Sequence, residues 1–306
     1  MGSDDVSMGR RSMLSGMAVA LSGTAGCASV LGRTDGSSGA VSMLVAGSLL
    51  NALENGLRTS VDVPVRIEAH GSAEVARLVA AGGKDPDIVS VAATSLFNSP
   101  LHPDWYVEFA TNSIVVAYNP DTDGGQQLAA AGTEAWYEPL LRGEVALGRT
   151  DPDLDPLGYR TLFTLELASA YYGTAVDLRE AIPRREQLYP ETQLISQFET
   201  GAIDAAFAYR NMAVERGYDY IDLPPEIDLS DPAHAERYSE ATYELPSGKT
   251  VSGGRISYGA TTRDQSPVVD DVLRAQATGG YLTDYGFDVP DDYPIFTGNV
   301  PDEVTN

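Results

Sequence analysis

Lysine is nearly absent from this sequence. Of 20 basic residues in 306, only Lys84 and Lys249 are lysines, against 44 acidic residues and a net charge of −24. A polyanion finds no basic stripe to sit on, which argues against nucleic acid as a partner. Nor is the acid gathered into a block, as a tail for a basic partner would be. An even acidic excess with so little lysine fits adaptation to high salt, where screening is short-ranged and self-repulsion costs little. Cysteine occurs once, at Cys27, and histidine three times, at His70, His102 and His234, in no metal-ligand spacing. A GxSxG nucleophile elbow is missing. Little is left for nucleophilic or zinc catalysis.

Long hydrophobic runs are missing as well. An uncharged run near the N-terminus, Ser12 to Val30, is rich in Gly, Ala and Ser and too weakly apolar for a membrane span. Arg10 and Arg11 precede it, in the manner of a twin-arginine export signal. The stretch GTAGC ends at Cys27 after small residues and resembles a lipobox, whose cysteine would carry a lipid. The expectation is an export signal over 1–26, a Gly/Ser-rich tether over 27–40 and a monomer leashed to the outer face of a membrane.

From Val41 onward, strands alternate with helices. Ala40–Gly47, Pro64–Gly71 and Pro86–Ala93 read as buried strands, and helices open at Ser48 and Ser72. This alternation predicts a parallel α/β sheet, with ligands at the carboxyl ends of its strands. Glu108–Pro120 reads as a strand leading into a second α/β region, and Gly253–Thr262 as a strand returning to the first. Two crossings imply two lobes, 41–120 plus 254–306 and 121–253, with a hinge and a cleft. The polar stretch from Pro224 to Glu240 reads as surface.

Gly47-Ser48 and Gly71-Ser72 stand at strand-to-helix junctions. Each offers a hydroxyl and free backbone N–H groups at the positive end of a helix, which suits an anion. The alternative is that each serine simply caps its helix. Further on, Asp151, Asp153 and Asp155 alternate in GRTDPDLDPLGYR. Asp155-Pro156 fits an N-cap followed by proline at the first helical position. A calcium loop is disfavoured: Pro156 occupies the position that needs glycine, and Leu162 the one that needs glutamate.

Taken in order, VAGSLLNAL, HGSAEVARLVAAGGKDPDIVSVA, EFATNSIVVAYNP, RTDPDLDPLGYRTL, ETGAIDAAFAYRNMAVERGYDYIDLPPEIDLSDP and SGGRISYGATT resemble archaeal molybdate/tungstate-binding lipoproteins, the solute-binding subunits of ABC importers. DPxGYR and ETGxIDxAFxY are the most specific of these segments. The resemblance covers about Val41 to Pro301 and implies a two-lobed, type II periplasmic-binding-protein fold. It implies an oxyanion held by Ser48, Ser72 and Tyr209. It also implies two carboxylates, Asp155 and Glu191, that bond to the metal and make it six-coordinate, with Asp151 and Asp153 mostly solvated. The partner would be an ABC permease; no cofactor is implied beyond the molybdate or tungstate ligand. Two departures stand out: the segment between Tyr172 and Glu191 is short, and Asn211 stands where a serine is common. The remaining alternatives are a binding protein for another small anion such as sulfate, or a hydrolase using Asp155 and Glu191 as an acid/base pair.

Overall fold

The computed structural model describes residues 39–246 and 248–305. The export signal, the lipobox at Cys27 and nearly all of the tether lie outside the described residues.

Strand β1, Val41–Ala46, is buried almost along its whole length, as a continuous apolar run demands. It lies between β2, Val65–His70, and β3, Ile88–Val91, parallel to both, with Val41 opposite Val65 and Met43 opposite Ile88. The connections carry helical segments over 47–60 and Ser72–Ala80, as parallel pairing requires. The sequence predicts one helix opening at Ser48. Instead it opens as a 3₁₀ turn, Gly47–Leu49, and widens to a π-helical turn at Leu53–Leu57. At Gly56 the ring of Tyr281 lies where a side chain would be, 2.3 Å from the position of a Cβ.

The sheet does not continue in parallel. β4, Trp105–Asn112, follows β3 with only a short helical turn between them. The chain then leaves for a second sheet through β5, Ile114–Tyr118; β6, Leu147–Gly148; β7, Ala205–Tyr209; and β8, Asp219–Asp222. A hairpin of β9, Thr242–Glu244, and β10, Thr250–Ser252, precedes the return through β11, Ile256–Thr262. β11 lies antiparallel between β3 and β4, and β12, Ile295–Gly298, closes the edge. The first sheet is therefore mixed, in the order β12-β4-β11-β3-β1-β2, and the second runs β6-β7-β5-β8. Strands that re-enter from elsewhere need no crossover helix and are free to pair antiparallel.

The stretch Glu108–Pro120, expected as one strand, is two. The chain crosses between sheets at the buried Ser113, earlier than the boundary at 120 drawn from the sequence. Both crossing points are pinned by the same short segment. Ile114 N donates to the Asp228 carbonyl and Ile256 N to the Leu229 carbonyl, each at 2.8 Å. Here the surface assignment of Pro224 to Glu240 fails. Ile227, Leu229 and Tyr238 are fully buried, and Asp228 is 7% exposed. A few apolar residues at irregular spacing were enough to anchor a segment whose polar composition reads as loop. Leu229 adopts a left-handed conformation, φ 66°, to present its carbonyl to Ile256.

Candidate functional site

The two Gly-Ser turns stand at the carboxyl ends of the adjacent strands β1 and β2. Neither serine caps its helix: Ala46 and Gly71 occupy the cap positions, and no side chain caps there. The Ser48 hydroxyl instead accepts from the Tyr258 hydroxyl at 3.1 Å, and the Ser72 hydroxyl from the Ala92 N–H at 3.0 Å. Both serines are half-buried. His70, just before the second turn, lies 2.8 Å from Glu68 through Nε2, a contact that shapes the loop.

Asp155 does cap a helix, Pro156–Tyr172, accepting from the Leu157 N–H at 2.9 Å with Pro156 in the first turn. The preceding loop folds back on itself. Asp155 N donates to the Asp151 carbonyl at 2.9 Å, and Asp153 N to the Asp151 carboxylate at 3.0 Å. Asp153 is exposed, and it also accepts a 2.6 Å hydrogen bond from the Tyr243 hydroxyl, which ties the loop to β9. Gly158 explains the glycine of DPLGYR. A Cβ there would stand 2.5 Å from Pro152 N and 2.6 Å from the Asp151 carbonyl carbon, both of them backbone. Only glycine lets the loop close onto the first helical turn.

Arg160, on the next turn of this helix, reaches to β7. Its Nη1 donates to the Tyr209 hydroxyl at 2.6 Å, and its guanidinium carbon lies 5.6 Å from the centre of the Tyr209 ring. Burial pushes Asp155 above the usual carboxylate range, against the Leu157 N–H, the Thr150 hydroxyl and the Arg160 charge, which favour the ionised form. Burial likewise raises the Tyr209 phenol; Arg160 opposes this and Asp155 adds to it. The Tyr258 phenol is raised by burial and eased by Ser48, Asn112 and Arg160. These mutual influences put Asp155, Arg160, Tyr209, Tyr258 and Ser48 in one neighbourhood, drawn from both sheets.

A buried network joins the two halves. Asn112 Nδ2 donates to Asn211 Oδ1 at 2.8 Å and to the Tyr258 hydroxyl at 3.1 Å, while Asn211 Nδ2 donates to the Ser48 carbonyl at 2.9 Å. Asn112 and Asn211 are wholly buried. Asn211 therefore bridges the first Gly-Ser turn to the helix Arg210–Arg216. Sequence reasoning did not single out Tyr258, Asn112 or Arg160. Arg160 was in view as the last residue of the DPxGYR motif, but an isolated tyrosine and asparagine give no signal.

Glu191 opens the helix Glu191–Glu199, and its side chain lies outside what is described. Ser48, Tyr209 and Asp155 thus share one neighbourhood, and Ser72 stands on the neighbouring turn. A cavity of about 360 Å³ lies elsewhere, at the opposite end of β3, lined by His102, Asp104, Trp105, Thr262, Arg263 and Asn299 among others; none of the expected site residues lines it. Among the described residues, no helix is long and apolar enough to cross a membrane.

Residues 46–265 match the model of a bacterial extracellular solute-binding protein family. The chain belongs to that family. A Haloferax volcanii protein assigned as an ABC transporter molybdenum-binding protein is 48% identical over 92% of this chain and 90% of its own. A molybdate/tungstate-binding protein of Pyrococcus abyssi is 31% identical over 80% of each chain. Among solved structures, the periplasmic molybdate-binding protein of Azotobacter vinelandii superposes with a TM-score of 0.51 at 14% identity, covering 82% of this chain and all of the other. At that identity the likeness concerns the fold, the two-lobed arrangement of a solute-binding protein. Membership in this family makes the chain an extracytoplasmic solute-binding protein.

Proposed function

We propose that this solute-binding protein captures molybdate or tungstate between its two sheets and delivers it to an ABC permease in the membrane. The two sheets are the two lobes, hinged where the chain crosses at Ser113 and again before Ile256. Cys27 carries the lipid that holds the protein at the outer face. The protein acts as a monomer and catalyses no reaction.

The observation that carries this reading is the company Asp155 keeps. A half-buried carboxylate sits beside the Arg160–Tyr209 pair and near Ser48, among donors suited to an oxyanion. Molybdate and tungstate are dianions. At ~4 Å and an effective dielectric of ~20, each pair of unit charges repels by about 4 kcal/mol. A carboxylate close to such an anion is tolerable only if it donates to the central atom. Mo(VI) and W(VI) are hard, electron-poor centres that accept further oxygen ligands. The sulfur of sulfate does not do so readily. Asp155, with Glu191 as second ligand, would make the metal six-coordinate. The same carboxylates would repel sulfate and phosphate, so selectivity comes from an included repulsion. The names of the Haloferax and Pyrococcus relatives support the same ligand.

Calorimetric titration of the soluble domain, residues 39–306, in high salt tests this reading. Tungstate and molybdate are expected to bind at least a hundredfold more tightly than sulfate, a difference of about 3 kcal/mol. Equal affinities for all three would remove the metal-ligation model.

A further inference from the structure

The loop that ends at Asp155 and the segment that leads into Glu191 meet at one short strand. β6, Leu147–Gly148, runs into Arg149 and Thr150, and the Asp155 loop follows at once. On the other side, Arg149 N donates to the Gln187 carbonyl at 2.9 Å, and the Arg149 carbonyl accepts from Tyr189 N at 3.0 Å, which makes a parallel bridge to Leu188. The helix Glu191–Glu199 starts two residues later. It packs on β6 itself: a Cβ at Gly148 would stand 2.5 Å from Leu194 Cδ1. The Arg149 side chain ties the same segment a second time. Its Nη2 donates to the Arg184 carbonyl at 3.2 Å and its Nε to Gln187 Oε1 at 3.4 Å, while Gln187 Oε1 also accepts from Arg184 N at 2.7 Å.

Little else holds that segment. The short connection after Tyr172 gives only Leu178 and Ile182 to the core. None of residues 183–190 is fully buried, and of them only Tyr189 packs against a core cluster. Arg149, by contrast, is 6% exposed. Among the described residues it forms no ion pair, and its Nη1 is buried with no hydrogen-bond partner. Burial works against the guanidinium charge, and Asp151 supports that charge without pairing with it. A buried cation answered by neutral oxygens costs stability, and an apolar side chain of like size would cost less. What arginine adds is a rigid planar fork that holds two acceptors of one loop at once. We propose that Arg149 is a positioning residue for the metal-ligating pair: it straps residues 184–189 to β6 and so sets the start of the Glu191 helix against the Asp155 loop. This inference deepens the function proposed above and rests on it. A six-coordinate metal needs both carboxylates in place, and ligating groups have to be held to within about 0.5 Å of their productive geometry.

The test joins X-ray absorption at the tungsten edge to calorimetry with tungstate and with sulfate, on residues 39–306. Wild type is compared with Arg149→Met, Arg149→Lys and Gln187→Ala, and the ligand-free melting temperature is recorded for each. Arg149→Met fills the same space but cuts both side-chain bonds. It is expected to weaken tungstate roughly tenfold to a hundredfold, as loss of a group that orients a metal ligand does. Fewer than six oxygens are expected around its tungsten, with sulfate binding unchanged or tighter. Arg149→Lys, a point charge that cannot span two acceptors, is expected to recover part of the loss. Gln187→Ala removes one acceptor from a half-buried loop position and is expected to show the same signature at about tenfold; it carries the test if Arg149→Met does not fold. Six oxygens around tungsten in the variants overturn the proposal. So does an equal loss of tungstate and sulfate affinity, which is what general loosening of the fold would give. Fewer than six oxygens in wild type would remove the ligation reading itself; six in wild type and in the variants alike would remove only this inference.

Discussion

Asp155→Asn is expected to weaken tungstate binding by at least a hundredfold while strengthening sulfate binding. The two signs matter more than the size. Asparagine preserves the shape of the side chain and still accepts from the Leu157 N–H, so the helix start survives: asparagine is as good an N-cap as aspartate. What is lost is one negative charge and one strong oxygen donor. If Asp155 acted on the ligand only through its charge, removing it would relieve two unit-charge repulsions of about 4 kcal/mol each at ~4 Å, and every dianion would bind more tightly. If Asp155 bonds to the metal, tungstate loses a ligand and sulfate loses only a repulsion. The affinities then move in opposite directions. Titration of wild type and variant with both anions decides between the two, and a gain for tungstate would rule out ligation by Asp155.

A second large effect is expected at the hinge. Asp228 is 7% exposed, and Ser230 holds its carboxylate through both N–H and hydroxyl, at 2.8–2.9 Å. Burial nevertheless pushes it up to about 7, with Asp288 and Asp231 adding to the shift and Ser230 opposing it. In the unfolded chain the same group titrates near ~3.9. Between these values the folded protein holds a proton that the unfolded chain releases. The contribution of Asp228 to stability is therefore full in acid below the unfolded value and is lost as pH rises to about 7. Over that range the loss amounts to roughly 2–4 kcal/mol. Asp228→Asn, which cannot ionise, is expected to be less sensitive to pH and more stable than wild type at pH 8. Urea unfolding of both proteins at pH 5 and pH 8 measures this; parallel shifts in the two proteins would show that Asp228 is ionised throughout.

Much of the architecture was legible because apolar runs of strand length stand between clear turn signals. β1, β2, β3 and β11 fall where their Val, Ile and Ala content puts them, and Asp155 caps its helix as its position before proline suggests. What the sequence hid was pairing. Nothing local in Trp105–Asn112 says that it runs antiparallel to β11, because direction is decided by where the chain comes from. The edge strands β8, β9, β10 and β12 are short and polar, with few buried positions, so their period is faint. The buried Asp228 segment was missed for a related reason: its composition matches a loop, and only the backbone partners at Ile114 and Ile256 make it core.

The site divides in the same way. Ser48 and Ser72 stood out through their glycine turns and Asp155 through its place before proline, while Tyr209 came only from the family resemblance. Tyr258 and Asn112 came into view only through contacts across 210 and 146 residues of chain. Glycine at position 158 was legible as a motif letter but not as a cause. Its role rests on how closely the Asp151–Pro152 backbone approaches the helix.

The coordination number of the bound metal tests the central claim most directly. X-ray absorption at the tungsten edge, on residues 39–306 loaded with tungstate, counts the oxygens around the metal. Ligation by Asp155 and Glu191 predicts six in the wild type and fewer in Asp155→Asn. Four oxygens in both proteins, as in free tungstate, would contradict it.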